Sequence, residues 1–434
     1  MDEKDKQIAS LKEELKTLKK RLAQFERMLG MNSKNSSKPP SSDGLRKKPA
    51  PKSLRVKGKN PSGGQKGHKG HTLEQVPEPN RQVIHPVEAC QVCQESLTDV
   101  VPHLQVKRQV FDIPEPTIEV TEHIAEVKLC SCGHQTTASF PNGVAAPVQY
   151  GPRIQALAVY LCNQQFIPED RLQQTFEDVF ALPISAATLA KINSEFADQV
   201  SPNQEEVLEE LKIATVKGAD ESGLRIGGKT QWLHTLSSPT ATHYRVSEKR
   251  GELLDGLEGI LVHDHWKPYF TLGGVTHALC NAHHLRELKA LEEIEKEPWA
   301  FKMSRVLRFL SRREGPPPLE RVMRLYDRIV AVGLRFHESQ PQVGGRKRRV
   351  GHNLLIRLRD FKDAVLRFLT TPGVPFTNNQ SEQDIRMIKV KQKISGCFRT
   401  VRGAQAFCII RGFLSTQRKR GINLFNAILN HTTC

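Results

Sequence analysis

The sequence predicts a multidomain α+β protein. Three observations lead there: a heptad-like apolar seam confined to the first 30 residues, two separate stretches of Val/Ile-rich alternation, and helical periodicity between and after them. At 434 residues the chain can bury two or three separate cores. Its 64 Lys+Arg against 47 Asp+Glu give a formal net charge of +17, which favours a polyanionic partner such as nucleic acid. No run of about 18 apolar residues occurs, and the N-terminus MDEKDKQIAS is charged where a signal peptide would be greasy. A soluble, cytoplasmic protein with no membrane partner is therefore expected. Nine cysteines in a chain of this length are not a disulfide scaffold, and in a reducing compartment close cysteine pairs are more often metal ligands.

Residues 1–30 carry Ile8, Leu11, Leu15, Leu18, Leu22, Phe25 and Leu29 at alternating spacings of three and four, with Lys, Glu and Arg between them. That is the a/d seam of a short, leucine-zipper-like coiled coil, predicting a homo-oligomer; the alternative is a helix docked on its own chain. Residues 31–75 are a basic linker rich in Ser, Asn, Pro, Gly and Lys, where residues 31–71 hold eleven Lys+Arg against Asp43 alone. Such a tether is solvated, and it would also track a phosphate backbone.

Residues 76–148 have β texture, with RQVFDIP and IEVTEHIAEVKL bounded by Pro and Gly. Cys90-x-x-Cys93 opens the segment, and Cys130-Ser-Cys132-Gly-His134 closes it. Two close pairs separated by strands suit a zinc ribbon, in which a structural Zn2+ stands in for a full core. The one-residue spacing of the second pair leaves His134 as a substitute ligand. Residues 149–205 read as three helices, with Ser185 an N-cap after Pro183, and the last two suit a helix-turn-helix. From 206 onward strands return in IATVKGADESGLRI, KTQWLHTLSS, THYRVS, GILVHD and VTHALC, with Gly227-Gly228 as a hairpin turn. The helix AHHLRELKALEEI follows, and about 290–370 is mainly helical.

Three acids stand out by position: Asp220 on the first of these strands, Asp264 at the end of the buried strand LVHD, and Glu382 near the start of a helix in VPFTNNQSEQDIRMIKVKQKISG. Cleaving a phosphodiester with two Mg2+ ions requires carboxylates from separate elements converging on one point. Each acid also has an ordinary explanation. Asp220 fits a strand edge with Glu221 equally exposed beside it, Asp264 a cap on the turn into WKPYF, and Glu382 a capping box from Asn379 or a pair with Arg386.

The blocks GADESGLRIGGKTQWLHT, ILVHDHWKPY, HALCNAHHLREL and VPFTNNQSEQDIRMIKVKQKISGCFRT closely resemble, in order, segments of the insertion sequence 66 family of bacterial DDE transposases. The likeness continues upstream in NSKNSSKPPSSD, PSGGQKGHKGHTL and APVQYGPRIQALAVYL. This resemblance implies a ribonuclease H-like α/β catalytic core over 206–434, a mixed sheet flanked by helices and interrupted by the helical insertion at about 290–370. It implies Asp220, Asp264 and Glu382 as catalytic ligands of two Mg2+ (or Mn2+) ions. In sequence 44 residues separate the first two acids, and 118 separate the second from the third. Arg386, Lys389, Lys391 and Lys393 would then grip DNA phosphates around Glu382. Cys280-x-x-His283 resembles a signature of related transposases; two ligand-type residues are a poor zinc site on their own, and a structural or site-shaping role is assigned in preference to metal binding. His263 and His265, flanking Asp264, are not assigned as general bases.

Double-stranded DNA, as terminal inverted repeats and target, is the implied partner, with accessory transposition proteins and a nucleoid-associated location. The spacing of Cys130 and Cys132 and the His265-Trp266 pair after Asp264 depart from the family pattern. Two other activities fit part of the pattern: a catalytically silent DNA-binding derivative, and a nuclease or resolvase that cleaves without strand transfer.

Overall fold

The computed structural model describes residues 3–31, 35, 72–313, 315, 317–340 and 348–432. Nearly all of the expected basic linker lies outside these residues, as does most of the basic run GGRKRR at 344–349 that interrupts the helical stretch. Two compact units are formed, one from 50–120 and one from 1–49 with 121–434.

Helix α1 (Glu3–Gly30) is continuous, and its apolar seam faces solvent: Leu11, Leu18, Leu22, Phe25 and Leu29 are each at least 60% exposed. Its C-terminal end is tethered through an Arg27–Glu295 ion pair at 2.5 Å. Among the described residues, none of these seam side chains belongs to a core cluster of this chain.

The expected β character of 76–148 is largely not realised among the described residues. Residues 72–126 contain no strand longer than the isolated Ala89–Ser96 bridge, and β1 (Val127–Leu129) pairs antiparallel with β2 (Gln135–Thr137) in three residues each. Most apolar side chains of this stretch are exposed, Val106, Val110 and Val120 by more than 80%. Alternation predicts a strand only when one face is buried, and here there is no core to bury it.

Helices α2 (Pro152–Val159), α3 (Glu169–Phe180) and α4 (Ala186–Ile213) follow, α2 running on into a π-helical turn at Tyr160–Gln164. Ser185 caps α4, its hydroxyl accepting from the Thr188 amide at 3.1 Å, as the sequence predicts. The domain boundary expected at 205/206 falls inside α4, and the helices are not a separate unit. Their core residues Leu172, Phe176, Leu189 and Phe196 share one cluster with Phe413, Leu414 and Ile428 near the C-terminus.

The strands that the alternation predicts form one five-stranded sheet, mixed as the resemblance implies: β3 (Val216–Ile226), β4 (Lys229–Ser237), β5 (Thr242–Ser247), β6 (Gly259–His263) and β7 (Val275–Leu279) in the order β5-β4-β3-β6-β7. The first three form an antiparallel meander, and β3, β6 and β7 run parallel. Gly227 and Gly228, at φ +53° and +77°, make the two-residue turn that a right-twisted hairpin requires.

Helix α5 (Asn281–Glu293) leads into the insertion, where α6 (Pro298–Leu310), α7 (Leu319–Glu338), α8 (Val350–Asp360) and α9 (Lys362–Thr370) bury Trp299, Tyr326, Leu354 and Leu358 in a core shared with Leu279 of β7 and Leu285 and Leu288 of α5. The chain returns through α10 (Asn379–Ser395), α11 (Val401–Lys419) and α12 (Leu424–Thr432). One sheet face packs Leu224, Ile226, Leu233 and Tyr244 against Ile385, Ile388 and Phe407 of α10 and α11. The opposite face packs Ala219, Leu236 and Leu261 against Val207 and Leu211 of α4. A five-stranded mixed sheet clothed by helices on both faces is consistent with the ribonuclease H-like core that the family resemblance implies. Among the described residues, no helix is long and apolar enough to cross a membrane.

Candidate active site

Strand alternation decides where the two adjacent acids of β3 point. Asp220 shares its face with Gly218, Leu224 and Ile226, the face on which α10 lies, while Glu221 points with Ala219 to the other. Burial is the main cause raising the Asp220 pKa well above the ordinary carboxylate range, and the charges of Glu221, Glu382 and Asp264 raise it further. The three acids proposed from the sequence therefore sit within one electrostatic neighbourhood. Asp264 leaves the end of β6, the parallel neighbour of β3, and its Oδ1 accepts from the Trp266 amide at 2.9 Å. It does cap the turn into WKPYF, using one carboxylate oxygen for that bond.

Glu382 lies in the first turn of α10, held over β3 by the residues before it. Asn378 precedes the helix; its Nδ2 donates to the Ala219 carbonyl at 2.7 Å, and its backbone amide donates to Cys280 Sγ at 3.1 Å. The capping box expected from Asn379 is absent: the N-cap is Asn378, and its side chain makes no capping bond because it is spent on β3. The close approach relies on Gly218, where a Cβ would lie 2.2 Å from Asn378 Oδ1 and 2.4 Å from Ser381 Oγ.

Cys280 and His283 touch Glu382 directly. Cys280 Sγ is 3.7 Å from Glu382 Oε1, His283 Nε2 is 3.4 Å from it, and Arg286 Nη2 is 3.6 Å away. Burial works to raise the Glu382 pKa, but His283, Arg286 and the Cys280 thiol together outweigh it, and the net shift is downward. Arg286, rather than the expected Arg386, is the guanidinium near Glu382, because tertiary packing sets α5 against the start of α10. No local pattern in the sequence marks Arg286.

Glu221 is not the exposed neighbour expected from the sequence. Its side chain is only 2% exposed, paired with Arg250 at 2.5 Å and accepting from the Tyr269 hydroxyl at 2.5 Å. The Arg250 guanidinium also stacks 4.3 Å from the Trp266 ring and 5.2 Å from Trp232. His263 is fully buried, and burial above all lowers its pKa to about 3. Burial likewise lowers His265 to about 4, so both are neutral packing groups near pH 7.

The four basic residues of α10 divide. Arg386 and Lys393 are exposed on the face that carries Glu382. Lys389 shares that face but is turned inward, its ammonium donating to the Gly223 carbonyl of β3. Lys391 stands nine residues after Glu382, about half a turn away at roughly 100° per residue, on the side where its charge acts on the buried Cys162. Proximity in sequence put these lysines together; helical periodicity and packing separate them.

Each cysteine pair expected to bind zinc forms a tight turn of its own. Around Cys90, Gln94 N donates back to the Cys90 carbonyl at 3.0 Å; around Cys130, Gly133 N donates to the Cys130 carbonyl at 2.8 Å. The Cys90 pKa is lowered first by the Cys93 backbone amide and that of Cys130 first by the Cys132 amide, which favours thiolates.

Residues 147–406 match the Transposase IS66 family, and residues 1–74 match a family of unknown function (DUF6444). The chain is also 26% identical over 141 residues to a Sinorhizobium fredii protein described as "Uncharacterized protein y4jO", covering 32% of this chain and 40% of that protein. The chain thus aligns with well under two thirds of that relative's length. The transposase match extends over more than half of the 434 residues and contains the whole sheet, α5 and α10; the chain belongs to the Transposase IS66 family.

Proposed function

We propose that the protein is a DDE transposase that binds the terminal inverted repeats of its own element, cleaves phosphodiesters at the element's ends and joins the freed 3′-hydroxyls to target DNA. The observation that carries this is the Asp220 carboxyl, raised by burial and by the charges of Glu221, Asp264 and Glu382. A half-buried cluster of acids in which Arg250 faces Glu221 and Arg286 faces Glu382, while among the described residues no ion pair engages Asp220 or Asp264, is a donor set suited to divalent metal ions. Asp220, Asp264 and Glu382 would hold two Mg2+ (or Mn2+) ions, which when bound activate the attacking oxygen and stabilise the leaving one.

The protein's own residues prepare that site. Asn378 and Gly218 set the start of α10 on β3, which brings the charge of Glu382 to bear on Asp220, and His283 and Arg286 keep the Glu382 carboxylate ionised. Arg250 and Tyr269 satisfy the neighbouring Glu221, so that the second carboxylate of β3 is not left as an unpaired buried charge. Arg386 and Lys393, exposed on the Glu382 face, are positioned to contact phosphates, and the basic linker adds a salt-sensitive, sequence-independent attraction. The exposed seam of α1 supports pairing of two protomers so that both ends are processed together. The Cys90/Cys93 turn and, separately, the Cys130/Cys132 turn with His134 as the substitute carry ligands of the kind that a structural Zn2+ selects.

Wild-type protein and Glu382→Gln, a near-isosteric loss of charge, are compared on duplexes carrying the element's ends in Mg2+, with any companion proteins supplied. Cleavage and joining by the wild type, lost in the variant while DNA binding persists, is expected. Equal activity in both would remove Glu382 from the metal site. Binding without cleavage in either would leave a silent DNA-binding protein, and cleavage without joined products a nuclease.

A further inference from the structure

Among the described residues, one group of metal-capable side chains has all its ligand atoms within 4.8 Å of one another: Cys280, His283 and Glu382. It differs in kind from the carboxylate cluster. Carboxylates alone suit hard ions such as Mg2+, whereas a thiol, an imidazole and a carboxylate form the mixed set that Zn2+ and similar thiophilic ions select. The spacings also fit. With Zn–N and Zn–O near 2.0 Å and Zn–S near 2.3 Å, the edges of a tetrahedron are about 3.3 Å from N to O and about 3.5 Å from S to O. His283 Nε2 lies 3.4 Å from Glu382 Oε1, and Cys280 Sγ lies 3.7 Å from it.

The backbone holds the three ligands with little freedom. Cys280 is the N-cap of α5 and His283 sits in its first turn, while Glu382 occupies the first turn of α10. The Asn378 amide, donating to Cys280 Sγ, binds the two helix starts together. Three protein ligands leave a fourth position for water, as in open zinc sites.

We propose that Cys280, His283 and Glu382 form a second, thiophilic divalent-cation site of the Zn2+ class, which shares Glu382 with the Mg2+ carboxylates and, when filled, withdraws it from them. Filling the site expels the Cys280 thiol proton to water and forms a metal–thiolate bond. Arg286, 3.6 Å from Glu382 Oε1, must swing aside to admit the cation. The consequence for catalysis, inhibition by Zn2+, rests on Glu382 being a catalytic ligand; occupancy itself does not.

The test uses the full-length chain with Cys90, Cys93, Cys130 and Cys132 replaced by Ser, which removes the other close cysteine pairs. Co2+ is the probe, because its bond to a thiolate produces a charge-transfer absorption band in the near ultraviolet. A band that saturates at one equivalent and is displaced by Zn2+ is expected, lost on adding Cys280→Ser and lost or greatly weakened on adding His283→Ala. The serine still accepts from the Asn378 amide, and the partly exposed His283 can be removed without opening the core. Absence of the band in the four-serine protein, or a band unchanged by both further substitutions, would overturn the proposal. If the band behaves as expected but Mg2+-dependent cleavage is never seen, the zinc-class site stands and the proposed function fails.

Discussion

Replacing Gly218 with alanine puts a methyl group where two side chains of α10 already lie. Gly218 does not have positive φ, so the effect is steric rather than conformational. The new Cβ would stand 2.2 Å from Asn378 Oδ1 and 2.4 Å from Ser381 Oγ, against about 3.3 Å for a close carbon–oxygen contact. Relief requires the start of α10 to move outward by about 1 Å, because Gly218 itself is pinned between Ser237 and Val262 in the sheet. Glu382, one turn further along, moves with it. A shift of that size costs about 100-fold in a reaction that depends on positioned groups, and overpacking costs about 1–3 kcal/mol of stability. End cleavage in Mg2+ is measured at equal concentrations of folded protein, with DNA binding followed separately by fluorescence anisotropy. Cleavage falling about 100-fold with binding retained is expected. Wild-type cleavage together with a wild-type Tm would show that α10 does not rest on Gly218 and would refute the steric argument.

Burial and three neighbouring carboxylates raise the folded-state pKa of Asp220, so its contribution to stability is present below the unfolded carboxylate range, about pH 4, and is lost as pH rises through the raised value. Asp220→Asn should therefore raise the Tm of metal-free protein at neutral pH, and Mg2+ should raise the wild-type Tm more than the variant's; a lower neutral-pH Tm for the variant would contradict this. Lys393→Ala should reduce the slope of log K against log salt for DNA binding by about 1, whereas Lys389→Ala, which removes a donor to the Gly223 carbonyl, should lower Tm by way of about 1–3 kcal/mol. Equal salt slopes for wild type and Lys393→Ala would remove that lysine from the phosphate path. Leu15→Asp with Leu18→Asp should convert a dimer to a monomer in sedimentation while leaving the thermal transition of the sheet-bearing unit in place; an unchanged sedimentation coefficient would count against pairing through α1.

Much of the sheet was legible because its signals are local. The runs ending at Ile226 and Ser237, the Gly227-Gly228 turn and the apolar LVH strand each carry their own periodicity or turn chemistry, and each forms the expected element. The same kind of signal failed in residues 76–126, where Val and Ile alternate but nothing covers them. Asn379 as the cap of α10 was off by one position, because Asn378 turns its amide to Ala219 instead of to its own helix. Arg286 and Arg250 carried no local mark at all; they matter only because α5 meets α10 and because Trp266 follows Asp264 into the turn.

The sequence by itself determined the order and spacing of the three acids, the strands and helix that bear them, the a/d seam of α1 and the charge that calls for a polyanion. These follow from side-chain chemistry and from periods of two or 3.6 residues, which act over a few neighbours. Only the tertiary structure decided which groups meet. It turned Lys389 into the protein, sent Lys391 to the opposite side of α10 and shut Glu221 behind Arg250 and Tyr269. It also joined α2–α4 to α11 and α12 in one core and brought Cys280 and His283 onto Glu382 across about a hundred residues of chain. Those choices depend on burial and on close approach at Gly218, quantities set by packing between segments distant in sequence.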